Sequence, residues 1–319
     1  MHAFLNNAFR LNGPIAILLL SAMLLNGCVA FMPDRIHYVW NVDETGVPGP
    51  TPQASANENF VGLAFSGGGS RAAYFAAAGA EALHERGILQ QVTHISSVSG
   101  GSMAASYLAT RPPGSCSTGT SCTDNYFAEY KEAMRRNYFR PMAINQVTKP
   151  NRFLSPTRRA SSLQNALDAA YLEEITFGNL PSSPVLLINA ASYDDGSRFV
   201  FSNRPIANED YAETPLSIST LRSRNFAQAD CVTATPDDFP VSLAVATSAA
   251  FPPALGPVAI EIPPSCGVTQ TRYWHLGDGG ILENTGVETL QEVLMLDSAA
   301  GQAPKRAVIF SFDAGKRES

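Results

Sequence analysis

The sequence of 319 residues is poor in charge, and this shortage excludes one large class of partner. Charged residues make up only 16% of the chain, and the net charge is −6. Proteins that bind nucleic acid usually present a strongly basic surface, so nucleic acid is not an expected partner. Hydrophobic residues make up 45%, which indicates a globular protein with a well-developed core.

The N-terminal region has no apolar run long enough to span a membrane. Its apolar run, Pro14–Leu25, contains twelve residues, whereas a membrane-spanning helix needs about 20. We therefore interpret residues 1–27 as a signal peptide that is removed on export.

The signal peptide ends in LNGC, which resembles a bacterial lipobox, the motif whose cysteine, here Cys28, becomes lipidated. An ordinary secretion signal with a chance cysteine is the alternative. Val29 resembles the residue that directs sorting to the outer membrane. Residues 28–58 are rich in Pro, Gly and small polar residues, which predicts a flexible tether. We expect an outer-membrane lipoprotein, anchored through lipid on Cys28, with a globular domain at 59–319.

Five cysteines are few for this length, and their number is informative. With one lipidated, an even remainder in an exported chain suggests two disulfides. The segment CSTGTSC favours a local pair, which leaves the other two cysteines as the second pair. No His/Cys pair has the spacing of a zinc site, so zinc is not expected, and the motifs described below require no other metal and no cofactor. The disulfide candidates are Cys116, Cys122, Cys231 and Cys266.

The globular part begins with alternating strand and helix patterns. VGLAFS reads as a short buried strand, and GGGSR leads into an alanine-rich helix that closes at Gly87. HISSV then predicts a second strand, and GSMAASYLA predicts a second helix. This order predicts an α/β fold with a mostly parallel sheet and helices on its faces. RAVIFSF predicts a further core strand, and the chain ends seven residues after Phe312, which suggests an incomplete C-terminal end.

Ser99 lies where the HISSV strand turns directly into a helix. Small residues surround it in Ser97-Val98-Ser99-Gly100-Gly101, as a nucleophile elbow requires, because strand and helix backbones approach closely there. The helix N-terminus would favour developing negative charge at the hydroxyl. Serine with glycine is also ordinary helix-capping chemistry, so the motif alone leaves both interpretations open.

A second glycine-rich turn, SGGGSR, follows the first strand. The N–H groups of Gly67, Gly68 and Gly69 could form an oxyanion hole. The segment also fits the GxGxxA pattern of dinucleotide sites, but the acidic residue expected at the end of the next strand is missing. A Walker A loop is excluded because no Gly-Lys-Ser/Thr follows.

Histidine is scarce, and none follows Asp278 in the segment LGDGG. The Ser, Asp/Glu, His order of an α/β-hydrolase triad therefore cannot be built there. Asp278 is the best candidate to take a proton directly from Ser99, although an aspartate before glycines is also a common turn. His275 is the histidine nearest to it in sequence and stays a minor candidate base.

These three motifs together resemble the patatin-like phospholipases over about residues 60–313. The resemblance implies a three-layer α/β/α fold and lipid acyl hydrolysis by a Ser–Asp dyad. It makes Ser99 the nucleophile, Asp278 the base and the three glycines the oxyanion hole. ATSAAFPPAL, residues 246–255, is similar to a family block that packs beside the active site.

The sequence departs from the family pattern at Ser97, Ser66 and Ala72, where serine or alanine replaces the more usual residues. Serine is small, so we still expect the elbow to close. Gly100 supports the elbow. Arg71 either binds a phosphate or braces the glycine loop, or alternatively pairs with a neighbouring carboxylate.

The resemblance predicts a phospholipase A or lysophospholipase whose substrate is a membrane phospholipid or another acyl lipid. A basic stretch at 131–159 either meets anionic head groups or is a solvated helix face. A non-catalytic binding lipoprotein and an esterase of non-lipid esters are the alternative functions.

Overall fold

A computed structural model describes residues 59–114, 125–149, 158–204, 206, 223–224, 235, 237–252, 254–261, 273–299 and 301–315. The strands are β1 (Asn59–Phe65), β2 (His94–Val98), β3 (Val185–Ser192), β4 (Arg198–Ser202), β5 (Val258–Glu261), β6 (Tyr273–Asp278) and β7 (Arg306–Phe312). The helices are α1 (Gly69–His84), α2 (Gly100–Thr110), α3 (Tyr126–Arg135), α4 (Phe139–Thr148), α5 (Ala160–Leu167), α6 (Val241–Ser248) and α7 (Val287–Ala299).

The strands form one mixed sheet in the order β5-β6-β3-β2-β1-β7, with β4 also paired to β3. The four strands β7, β1, β2 and β3 are parallel, whereas β4, β5 and β6 join through antiparallel pairings. The parallel part arises from the strand–helix alternation at the start of the domain. The antiparallel β4 follows β3 across the short turn that contains YDDG.

Helices cover both faces of the sheet, which confirms the predicted three-layer α/β/α fold. Alternate residues of β1 enter two separate apolar cores, because successive side chains of a strand point to opposite faces. Leu63 and Phe65 face the core formed with α1, α2, α5 and α6. Phe60 and Ala64 face the smaller core formed with α7.

The two strands that carry Ser99 and Asp278 meet end to end along one edge of β3. β2 pairs with β3 as far as Asn189, and β6 pairs with it from Ala190 onward. Because β4 also pairs with both of these residues, it must occupy the opposite edge of β3. β2 and β6 run in opposite directions, so their C-terminal ends face each other. This junction places the residue after β2 beside the last residue of β6.

The C-terminal strand differs from its predicted role as a core strand. β7 pairs with β1 at the edge of the sheet, and its residues are mostly exposed or half-buried, with Val308 47% exposed. Among the described residues no further strand pairs with its other edge.

Several predictions concern residues outside the described part of the chain. These are the signal peptide, the lipidation of Cys28, the tether and the two disulfides. They stay predictions, as does the outer-membrane location. Within the described ranges, no helix combines the length and hydrophobicity that a membrane-spanning segment requires.

Candidate active site

Ser99 occupies a strained position between β2 and α2. Its backbone has φ 51° and ψ −118°, a positive-φ conformation that residues other than glycine rarely adopt. The chain must reverse direction within one residue here, because α2 begins at Gly100 immediately after the strand. The side chain is 8% exposed and stands at the N-terminus of α2. This is the geometry of a nucleophile elbow.

The Ser99 hydroxyl donates a hydrogen bond to Oδ2 of Asp278 at 2.9 Å. The other carboxylate oxygen, Oδ1, accepts the N–H group of Gly280 at 2.8 Å, which fixes the carboxyl plane. Burial raises the pKa of Asp278, and the two hydrogen bonds partly oppose that rise. A poorly solvated carboxylate directed at a hydroxyl is suited to accept its proton.

Ser248, at the end of α6, holds the backbone of the elbow. Its Oγ accepts the Ser99 N–H group at 2.9 Å and donates to the Asn189 carbonyl at 2.5 Å. Since its one proton is used there, Ser102 Oγ must donate to it at 2.9 Å. The sequence indicated that the block at 246–255 packs beside the site. It gave no indication that Ser248 binds the backbone N–H group of the nucleophile.

The two glycine-rich turns touch each other. A Cβ added to Gly100 would lie 2.0 Å from the Gly69 carbonyl oxygen, and one added to Gly67 would lie 3.4 Å from Ser99 Cβ. The close backbone approach explains why glycine stands at position 100, whereas at position 67 an added Cβ would clash with Asn284 Oδ1 at 2.1 Å. The glycine loop is thereby placed directly beside the Ser99 hydroxyl.

One of the three predicted oxyanion donors is already engaged. The Gly67 N–H group donates to the Asn284 backbone carbonyl at 2.9 Å, so this part of the prediction must be corrected. The sequence did not indicate Asn284, because no motif links it to the glycine loop. Among the described residues, the N–H groups of Gly68 and Gly69 donate to no protein acceptor. Their φ angles of 136° and 64° are readily accessible to glycine.

Arg71 braces the glycine loop through the segment that follows β7. Its guanidinium donates to the Ala314 carbonyl at 2.8 Å, and the Ala314 N–H group donates to Ser66 Oγ at 2.8 Å. Within the described ranges Arg71 forms no ion pair with a carboxylate. Of the predicted alternatives, the contacts favour loop bracing. Ser66, one of the departures from the family pattern, is the residue whose hydroxyl accepts the Ala314 N–H group.

The structure gives His275 a partner other than Ser99 or Asp278. Its Nδ1 lies 2.9 Å from Asp194 Oδ1, and its backbone N–H group donates to the same carboxylate. His94 stacks on Phe60, with ring centroids 4.5 Å apart. Burial lowers the pKa of His94 to about 4, so it is neutral at neutral pH. These contacts leave Asp278 as the base candidate beside Ser99.

No group of three His, Cys, Asp or Glu side chains within the described ranges is arranged to hold a metal ion. The expectation that the protein uses no metal and no cofactor stays a prediction.

Comparison with known proteins identifies a family for most of the described domain. The sequence pattern of the patatin-like phospholipases matches residues 63–290, which include Ser99 and Asp278. None of the curated proteins compared with the chain matches it significantly.

Three solved structures resemble the chain at low sequence identity. Human GIVD cytosolic phospholipase A2 is 12% identical over 80% of this chain and 43% of its own, with a TM-score of 0.45. Its complex with methyl gamma-linolenyl fluorophosphonate and terbium chloride is 18% identical over 56% of this chain and 25% of its own, with a TM-score of 0.34. VipD from Legionella pneumophila is 15% identical over 81% of this chain and 52% of its own, with a TM-score of 0.31. The chain therefore spans only a quarter to about half of the length of these proteins.

Proposed function

Since the chain belongs to the patatin-like phospholipase family, we propose that it is a lipid acyl hydrolase of the phospholipase A or lysophospholipase type. Family membership supports lipid hydrolysis in general. The observation that supports the specific mechanism is the 2.9 Å hydrogen bond from Ser99 Oγ to Asp278 Oδ2. It joins a hydroxyl at a helix N-terminus to a carboxylate that burial makes more basic.

In the proposed reaction, Asp278 takes the Ser99 proton while Oγ attacks the ester carbonyl carbon. The carbonyl oxygen becomes an oxyanion beside the N–H groups of Gly68 and Gly69. When the tetrahedral intermediate collapses, the ester C–O bond breaks and the leaving alcohol takes the proton from Asp278. Water then loses a proton to Asp278 and attacks the acyl-serine carbonyl carbon. The bond from that carbon to Ser99 Oγ breaks, Oγ takes the proton back from Asp278, and the fatty acid leaves.

The test of this mechanism is covalent labelling by a fluorophosphonate probe, located by mass spectrometry. We expect one adduct, on Ser99, and none in Ser99→Ala. Ser106→Ala is the matched control, because Ser106 is a buried serine on the same helix whose hydroxyl bonds Met103 O and Tyr171. That variant should label like the wild type. Folded protein without an adduct would contradict the proposed nucleophile and favour a non-catalytic lipid-binding protein.

Exposed apolar side chains lie on segments that adjoin Asp278 and favour a lipid over a soluble ester as substrate. Ile281 and Leu282 follow Asp278 in the chain, and the Asp278 N–H group bonds Ala250, the residue before Phe251. A Cβ on Gly277 would lie 2.2 Å from the Tyr193 hydroxyl. The apolar rim consists of Tyr193, Phe251, Ile281 and Leu282, which are 41%, 61%, 45% and 44% exposed. Apolar groups concentrated at a site mouth fit a lipid surface.

Replacing Phe251 and Ile281 together by serine should lower hydrolysis of phospholipid vesicles by about tenfold or more, since two apolar groups would no longer enter the lipid. Hydrolysis of a soluble short-chain ester should change by less than about twofold, because the rim is not needed to present a dissolved substrate. Val308→Ser on β7, an apolar position about as exposed as Ile281, is the control. Equal losses on both substrates would contradict the role of the rim and favour a non-lipid esterase.

A further inference from the structure

A chain of buried polar side chains lies on the α7 side of the sheet, behind the Ser99–Asp278 pair. It is formed by Asn189 on β3, Arg198 on β4, and Thr289 and Glu292 on α7. These residues are 1%, 7%, 0% and 0% exposed. Arg198 lies 3.3 Å from Glu292 and donates to Thr289 Oγ1 at 2.6 Å. Thr289 in turn donates to Asn189 Oδ1 at 2.5 Å.

Each hydrogen bond in this chain has a fixed direction. A guanidinium can only donate, so Thr289 accepts from Arg198 and its one proton is left for Asn189 Oδ1. The Asn189 Nδ2 group then faces Ser96 Oγ at 2.9 Å and the Ser97 carbonyl at 3.0 Å. A carbonyl can only accept, so this end of the chain demands the same amide orientation. Arg198 and the Ser97 carbonyl thus fix the Asn189 amide from opposite ends.

Asn189 reaches the nucleophile by two routes. Its side chain holds the carbonyl of Ser97, two residues before Ser99. Its backbone carbonyl accepts the Ser248 hydroxyl, which accepts the Ser99 N–H group. Asn189 therefore ties β2 and the start of the elbow together at the point where Ser99 adopts its strained backbone.

We propose that Asn189 is a positioning residue for Ser99, and that Thr289, anchored by the Arg198–Glu292 ion pair, fixes the orientation of its amide. This inference rests on the proposed function of Ser99 as the nucleophile. A purely apolar core would serve stability at least as well, because buried ion pairs are often replaceable by hydrophobic residues without loss. An apolar core would not provide directional hydrogen bonds, and such bonds are needed to hold Ser97 and Ser99 in a fixed position relative to Asp278.

The decisive comparison is between Thr289→Val and Thr289→Ser. Valine keeps the shape of threonine but leaves Asn189 Oδ1 without its donor, so only the contacts with Ser96 and Ser97 still hold the amide. We expect Thr289→Val to lower kcat and the rate of fluorophosphonate labelling about tenfold, equivalent to about 1.4 kcal/mol, with KM within about twofold. Thr289→Ser keeps the hydroxyl, and its labelling rate should stay within about twofold of the wild type.

Leu296→Ala separates positioning from general destabilisation. Leu296 is buried in the same core on α7, but it is a hydrocarbon side chain and cannot take part in the hydrogen-bond chain. We expect this variant to unfold at a lower temperature yet to label at the wild-type rate per folded molecule. Equal rates in Thr289→Val and wild type would overturn the proposal. So would equal slowing in Leu296→Ala and Thr289→Val.

Asn189→Asp provides a second route if Thr289→Val does not fold. The substitution keeps the side-chain shape and the acceptor for Thr289, but it replaces the Nδ2 donor that faces the Ser97 carbonyl. We expect a similar fall in the labelling rate, and wild-type labelling in this variant would contradict the proposal. If the wild-type protein itself fails to label at Ser99, it is the proposed function that fails. Labelling of wild type and all variants at one rate removes only the positioning role.

Discussion

Asp278→Asn is expected to lower kcat for phospholipid hydrolysis by about 10³-fold, because the amide cannot accept the Ser99 proton. The change is nearly isosteric, so the fold should be retained. The measurement is steady-state hydrolysis of phospholipid vesicles. A residual rate within about tenfold of the wild type would show that another group acts as the base.

His275→Gln is the matched control for this prediction. The sequence left His275 open as a base, but the structure pairs it with Asp194. We expect this variant to retain wild-type kcat. A fall comparable with that of Asp278→Asn would restore the histidine hypothesis.

The pH profile provides an independent check on Asp278. Its carboxylate must be ionised to accept a proton, so activity should fall as the pH drops through its pKa. Burial raises that pKa above the ordinary value of 3.8. The acidic limb of kcat/KM in the wild type should therefore have its midpoint above pH 3.8, and Asp278→Asn should lack this limb.

Gly100→Ala is expected to destabilise the protein by about 3 kcal/mol or more and to abolish labelling of Ser99. The added Cβ would lie 2.0 Å from the Gly69 carbonyl oxygen and 2.6 Å from its carbon. These are backbone atoms of the glycine loop, so no side-chain rotation relieves the clash. The loop and the elbow must separate, which moves the proposed oxyanion donors away from Ser99. Urea unfolding and fluorophosphonate labelling measure the two effects.

Gly87→Ala distinguishes a clash from ordinary backbone strain. Gly87 has φ 67°, but a Cβ there would meet no atom within 4 Å. The expected cost is about 1 kcal/mol, without an effect on labelling. If Gly100→Ala costs no more than Gly87→Ala, the close approach of the two turns is not maintained in solution.

The sequence allowed the layers of the fold to be predicted, because strand–helix alternation is a local pattern, and it identified Ser99 and Asp278 as candidate residues of the site. Buried strands followed by glycine and helix gave the α/β fold and located Ser99 at an elbow. The mixed character of the sheet was harder to predict, since periodicity does not specify strand direction. The hydrophobic pattern of β6 does not reveal whether this strand pairs with β3 in the parallel or the antiparallel direction, and the structure shows that it is antiparallel.

The missed contacts are those between side chains and backbone groups far apart in sequence. Ser248 lies 149 residues from Ser99, and Thr289 lies 100 residues from Asn189. Thr289 belongs to no motif, and the block at 246–255 that contains Ser248 does not indicate which group that serine contacts. Each looks like an ordinary helix residue until the helices pack on the sheet. The Asn284 carbonyl likewise accepts the hydrogen bond of the Gly67 N–H group only when the segment that follows Asp278 lies against the glycine loop.

The end-to-end meeting of β2 and β6 along β3 also determines when the protein can become active. Ser99 and Asp278 are 179 residues apart, and they meet only when β3 has paired with both strands. A nascent or partly folded chain therefore carries a serine without its base. Under the proposed mechanism, acyl hydrolysis can begin only after both strand pairings have formed.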